Sequence, residues 1–105
     1  MVFVKKRAYN DLERLRLALL KWDKVELTAD FVLQYIQNII DACFSLENLK
    51  LHIKSRYITH LRYGKYAFPF KQTKNSKTIQ YIIYDIDKYD NIWIKKIISN
   101  HITIK

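Results

Sequence analysis

The sequence has one glycine, Gly64, and one proline, Pro69, in 105 residues. One glycine cannot build a glycine-rich phosphate loop, so nucleotide-dependent chemistry of that kind is unsupported. So few breakers also argue against a disordered chain or a long flexible linker. Cysteine occurs once, at Cys43. No disulfide framework can form within the chain, which suits a reducing, cytoplasmic setting, and Cys43 reads as a buried, inert thiol. The three histidines, His52, His60 and His101, give no standard zinc spacing with a single cysteine. No metal and no cofactor is therefore expected. No nucleophile-elbow signature is present. Long apolar runs are missing too. Residues 31–40 form the most apolar stretch, which Gln34, Gln37 and Asn38 interrupt. It is too short to span a bilayer. Charges scattered through residues 1–24 do not make a secretory signal.

A further absence concerns charge of one sign. Residues 50–77 contain no Asp or Glu, yet carry Lys50, Lys54, Arg56, Arg62, Lys65, Lys71, Lys74 and Lys77, with His52 and His60. Residues 25–49 are the reverse, with Glu26, Asp30, Asp41 and Glu47 and no Lys or Arg. The formal charge of the whole chain is +9. A basic block that repels itself in this way points to a polyanionic partner. The plainer reading is a solvated face that keeps the protein soluble.

What is present is apolar and aromatic. Half the residues are hydrophobic, and there are eight Tyr, five Phe and two Trp. The length fits one domain over residues 1–105. "VFVK" reads as a first strand. Asn10 and Glu13 suit the cap and capping box of a helix. Leu12, Leu15, Leu19 and Trp22 then recur at helical spacing, to about Asp23. Thr28 suits the cap of a second helix, with Asp30 in its first turn. Val32, Ile36, Ile39, Cys43 and Leu46 make its apolar stripe. A short link reads the two helices as an antiparallel pair.

Residues 57–70 read as one or two strands bent at Gly64. Residues 78–86 are apolar on both parities, as a strand buried on both faces would be. The polar turn "DKYDN" and a last strand over residues 92–99 complete a hairpin. The expected class is α+β: an N-terminal strand, a helix pair, then a mainly antiparallel sheet of three to four strands.

Basic residues that alternate with Tyr57, Tyr63 and Tyr66 suit phosphate binding with base stacking. That makes Lys54, Arg56, His60, Arg62 and Lys65 candidates for RNA binding. Against this, strand tyrosines are also ordinary half-buried core residues.

The segment "YIIYDIDKYDNIWIKKIISNH", residues 81–101, resembles the C-terminal β-hairpin of the RelE/ParE toxin superfamily. The opening strand, the helix beginning with Ala8, Asp11 and Leu12, the second helix and "FPFK" are similar in order to that family. The resemblance implies a small cytoplasmic toxin of a type II toxin-antitoxin system, neutralised by a cognate antitoxin. It implies translation inhibition by a ribosome-dependent, metal-independent endoribonuclease that cuts mRNA. The ParE branch implies instead a DNA gyrase inhibitor. A homologue that only binds nucleic acid or antitoxin is a third possibility. By position the resemblance nominates His101, at the end of the last strand, Lys71, Lys74 and Lys77 entering the central strand, and Tyr81. Tyr81 stands where the family often has an arginine, and no tyrosine follows in "HITIK".

Overall fold

The computed structural model describes residues 1–21 and 28–100. Trp22 and Asp23 of the first helical pattern, and His101, lie outside the described residues. The elements run β1 (Val2–Val4), α1 (Lys6–Leu20), α2 (Ala29–Ser45), a 3-10 turn (Leu46–Asn48), α3 (Ile58–Leu61), β2 (Tyr66–Phe70), β3 (Gln80–Ile86) and β4 (Ile92–Ser99). The class is α+β, as the pattern predicts. The four strands lie in the order β1-β4-β3-β2. Two of the three pairings are antiparallel, but β1 runs parallel to β4, so the sheet is mixed.

α2 begins as the sequence predicts. Thr28 Oγ1 accepts the Phe31 N–H at 3.1 Å, which satisfies one of the orphan donors of the first turn. Its stripe of Val32, Ile36, Ile39 and Cys43 is buried, and Leu46 continues it. Such a stripe is what drives a helix onto a core, at about 1.5–3 kcal/mol for each large side chain fully buried. Ala8 and Leu12 of α1, Ile36, Ile39, Ala42 and Cys43 of α2, Leu46, and Ile82, Tyr84, Ile92, Ile94 and Ile97 of the sheet form one core. The Tyr84 hydroxyl, buried within it, meets His52 Nδ1 at 2.7 Å.

α1 begins earlier than expected. Its cap is Lys5, whose side chain makes no capping bond, and Asn10 sits inside the helix. The reason is the strand before it. Lys5 N donates to Ile94 O at 2.9 Å, so the last ladder bond of β1 falls one residue before the helix. The Lys5 carbonyl then accepts from Ala8 N and Tyr9 N. Strand pairing, not an Asn side chain, sets the start.

Residues 57–70 are not all strand. The Tyr57 carbonyl accepts from His60 N at 2.9 Å and Leu61 N at 3.0 Å, which closes the single turn α3. β propensity in this run is overridden by docking of the turn on the sheet. Gly64 makes that approach possible. A Cβ there would lie 2.9 Å from Ile83 Cγ2 and 3.0 Å from Tyr84 O. Upstream, Ser55 N donates to Lys65 O and Ala67 N to Ile53 O, so residues 53–55 cover the outer edge of β2. Pro69 sits on this edge strand, where its missing N–H is tolerated.

β4 carries a bulge. Ile83 faces Lys96 while Tyr84 faces Ile94, which leaves Lys95 as the extra residue. Lys95 Nζ reaches Asp85 at 3.1 Å and Lys96 Nζ reaches Asp11 at 2.9 Å. Ile83 is fully buried but lies outside the core beneath the helices, on the face that Gly64 approaches. On that face, alternation and register also place Ala67, Pro69 and Tyr81.

Candidate functional site

The turn α3 and the strand β3 bring three rings together. Tyr57 precedes α3 and His60 is its third residue, so one helical turn puts both on the same side. Their ring centroids are 5.0 Å apart at 76°. Tyr81, the second residue of β3, meets the His60 ring at 4.7 Å and the Tyr57 ring at 5.9 Å. The three border a pocket of about 220 Å³ that Ile53, Lys54, Arg56, Ala67 and Pro69 complete.

His60 is 6% exposed, and its Nδ1 has no hydrogen-bond partner among the described residues. A buried polar atom left unpaired costs about 1–3 kcal/mol, so it invites a ligand or a reacting proton. Burial pushes the His60 pKa down from its ordinary value, which favours the neutral imidazole. Tyr81 is pushed the other way, first by burial and then by its hydrogen bond with Tyr57, so it holds its proton. A neutral imidazole, a protonated phenol and two cations therefore face one small cavity. Those are the groups that acid–base chemistry on a phosphodiester needs.

Of the residues nominated from sequence, Lys54, Arg56, His60 and Tyr81 meet at this pocket. Arg62 is exposed at the end of α3. Lys65 is exposed, with Nζ 5.8 Å from the Tyr66 ring centroid and its backbone N–H donating to Asp85 Oδ1 at 2.7 Å. Lys71, Lys74 and Lys77 are exposed on the β2–β3 connection, away from this pocket's lining. Lys77 instead borders a cleft against α2. The structure thus divides the acid-free block into two basic regions. His101 lies outside the described residues; Asn100, just before it, is tied to Ile79 through backbone and side chain.

The sequence offered Tyr57 as a stacking ring but gave no reason to join it to His60. Their spacing of three residues was the available signal, and it has meaning only on a helix. Cys43 carries no such chemistry. It is buried in the core and its thiol is pushed up to about 12 by desolvation, which makes it a poor nucleophile. Among the described residues, no three His, Cys, Asp or Glu side chains gather where they could hold a metal ion. No helix among them is long and apolar enough to cross a membrane.

No family model, no curated protein and no solved structure matches this chain.

Proposed function

We propose that this chain is a cytoplasmic toxin of the RelE/ParE kind, acting on mRNA as a metal-independent endoribonuclease at the Tyr57–His60–Tyr81 pocket. The observation that carries the reading is the buried His60 ring, 6% exposed and with Nδ1 unpartnered among the described residues, against Tyr81 and beside Lys54 and Arg56. In this mechanism the neutral His60 imidazole takes the proton of a ribose 2′-OH. The freed oxygen attacks the adjacent phosphorus, forming a 2′,3′-cyclic phosphate, and the bond to the 5′-oxygen breaks. Tyr81 gives a proton to that leaving oxygen. One proton is taken and one returned. Lys54 and Arg56 hold the charge that builds on the phosphoryl oxygens. Loss of a positioned acid or base lowers such rates roughly a hundred- to ten-thousand-fold.

The sequence-level resemblance supplies the ribosome as the place of cutting and an antitoxin as partner. Primer extension on mRNA from induced cells tests the reading. Cuts at ribosome-occupied positions, lost in both His60→Gln and Tyr81→Phe, are expected. Intact mRNA would overturn it.

The same surface carries an apolar patch that suits a second reading as well as the first. Leu51 is 78% and Ile58 82% exposed, with Ile53, Tyr57 and Leu61 also exposed, among Lys50, Lys54 and Arg56. Apolar side chains set among cations suit an acidic protein partner. That partner is the antitoxin in the first reading and DNA gyrase in the second. Strong DNA-damage induction with uncut mRNA would select gyrase.

A further inference from the structure

A second cavity borders the lysine-bearing connection. It measures about 510 Å³ and runs between α2 and the β2–β3 connection. Volumes of about 300–1,000 Å³ are usual for small-molecule sites. Three carboxamides line it in a directed chain. Gln34 Nε2 donates to Asn38 Oδ1 at 2.8 Å, Asn38 Nδ2 to Gln72 Oε1 at 2.9 Å, and Gln72 Nε2 to the Tyr35 carbonyl at 3.0 Å. Each amide is thereby held in one orientation, while the chain uses only one N–H of each. Among the described residues, the second N–H of each amide and Gln34 Oε1 take no part in this chain. Phe31 stands at the cleft 51% exposed, with its ring centroid 6.2 Å from that of Tyr35. Lys77 lines the cleft, and among the described residues no carboxylate does. The connection itself is braced, since Thr73 N donates to Ser76 Oγ at 3.1 Å and Ser76 N to Thr73 O at 3.1 Å.

We infer that this cleft is a binding site for a single unpaired nucleotide, with the base stacked on Phe31, its edge read by Gln34, Asn38 and Gln72, and its phosphate held by Lys77. The chemistry matches part by part. Carboxamides pair with base edges through one donor and one acceptor. Exposed aromatic rings stack on unstacked bases whatever their sequence, and a lysine supplies the phosphate contact. The inference rests on the RNA reading above and deepens it: the pocket at His60 cuts, and this cleft selects the base. It also gives Lys77 work that the His60 pocket does not.

The test uses the full chain in solution. Side-chain NH₂ signals of Gln34, Asn38 and Gln72 are followed by NMR during titration with 5′-AMP, GMP, CMP and UMP, with inorganic phosphate as control. At least one nucleotide should move these signals saturably, and phosphate alone should not. Phe31→Ala, a change at an exposed ring, should weaken that nucleotide by roughly five- to 150-fold, the range for loss of one base–aromatic stack. Gln34→Ala should change which nucleotide binds best. If no nucleotide moves the amide signals, if phosphate moves them equally, or if Phe31→Ala leaves affinity unchanged, the amides only clasp the connection to α2 and the inference fails. Failure of the nuclease reading is separately visible. A wild-type chain that cuts no mRNA while its amides still respond to a nucleotide keeps this site and loses the other.

Discussion

Asp11 Oδ2 accepts the backbone N–H of Ile97 at 2.9 Å, while its Oδ1 meets Lys96 Nζ at 2.9 Å. β1 pairs with β4 only through Ile94, so the outer edge of β4 beyond it has no strand neighbour among the described residues. A helix side chain takes the place of the absent strand. The bulge at Lys95 sets Lys96 opposite Ile83, and from there its Nζ reaches the Asp11 side chain, which is 7% exposed.

Asp11→Ala should therefore cost more than a surface salt bridge would. It leaves the Ile97 N–H without its acceptor and Lys96 without its partner. Hydrogen bonds to charged groups contribute about 1.5–3 kcal/mol, and a loss in that range is expected in urea unfolding. A loss below about 0.5 kcal/mol would place Asp11 among ordinary exposed ion pairs.

Gly64→Ala should destabilise the fold through contact alone. Gly64 does not have a positive φ, so no backbone strain enters. The added methyl would meet Ile83 Cγ2 at 2.9 Å and the Tyr84 carbonyl at 3.0 Å. The sheet backbone cannot yield easily, and overpacking of this kind costs about 1–3 kcal/mol. Because Gly64 ends the segment that docks α3, the variant should also loosen the Tyr57–His60–Tyr81 cluster. A drop in thermal midpoint together with altered His60 ring signals would show both effects. An unchanged midpoint would mean that α3 lifts off the sheet at little cost.

The His60 environment sets a pH dependence of stability. Burial lowers its folded-state pKa below the unfolded value near 6.5. Between those two values the unfolded chain binds a proton that the folded chain refuses, so stability rises with pH. Above the unfolded value both states are neutral and this contribution is level. Below the folded value both are charged and it is level again, at lower stability. Chemical unfolding from pH 5 to 8 should show this rise, and His60→Gln should remove it even if the variant is less stable throughout. An unchanged slope in the variant would assign the proton uptake to another group.

The legible parts of the fold were those where one local signal decides. Thr28 as a cap, the stripe from Val32 to Leu46, and the β3–β4 hairpin depend on spacing and turn chemistry alone. Asp87 shows why the hairpin turn was readable: it accepts from Tyr89 N, Asn91 N and Trp93 Nε1, and these bonds, led by the one from Trp93, lower its pKa. The start of α1 was misplaced because a ladder bond from Lys5 to Ile94, 89 positions away in sequence, fixes it. α3 was read as strand because its single turn is held by rings packed on Tyr81. For the candidate site, the residue types were visible and their grouping was not. Lys54, Arg56, His60 and Tyr81 converge only after α3 folds onto β3, and the same fold sends Lys71, Lys74 and Lys77 elsewhere.

That division separates two kinds of defect. Lys54 and Arg56 line the His60 pocket, whereas Lys71, Lys74 and Lys77 are exposed on the connection beside α2. Both sets are cationic and both should contribute to holding RNA. Each phosphate contact removed should lower the log–log salt slope by about one unit, whichever set supplies it. The consequences for cutting should differ. Lys71→Gln, Lys74→Gln and Lys77→Gln together should weaken binding, with cleavage restored at saturating RNA, because interactions made equally in ground and transition states affect affinity and not turnover. Lys54→Gln with Arg56→Gln should lower turnover itself, since charge beside the reacting phosphate matters most when charge develops there. Removal of one such donor typically costs about 10²–10³ in rate. Single-turnover cleavage at rising RNA concentration, measured at two salt levels, distinguishes the two. If the triple variant lost turnover while the double variant kept it, the reacting centre would lie on the lysine-bearing connection and not at His60.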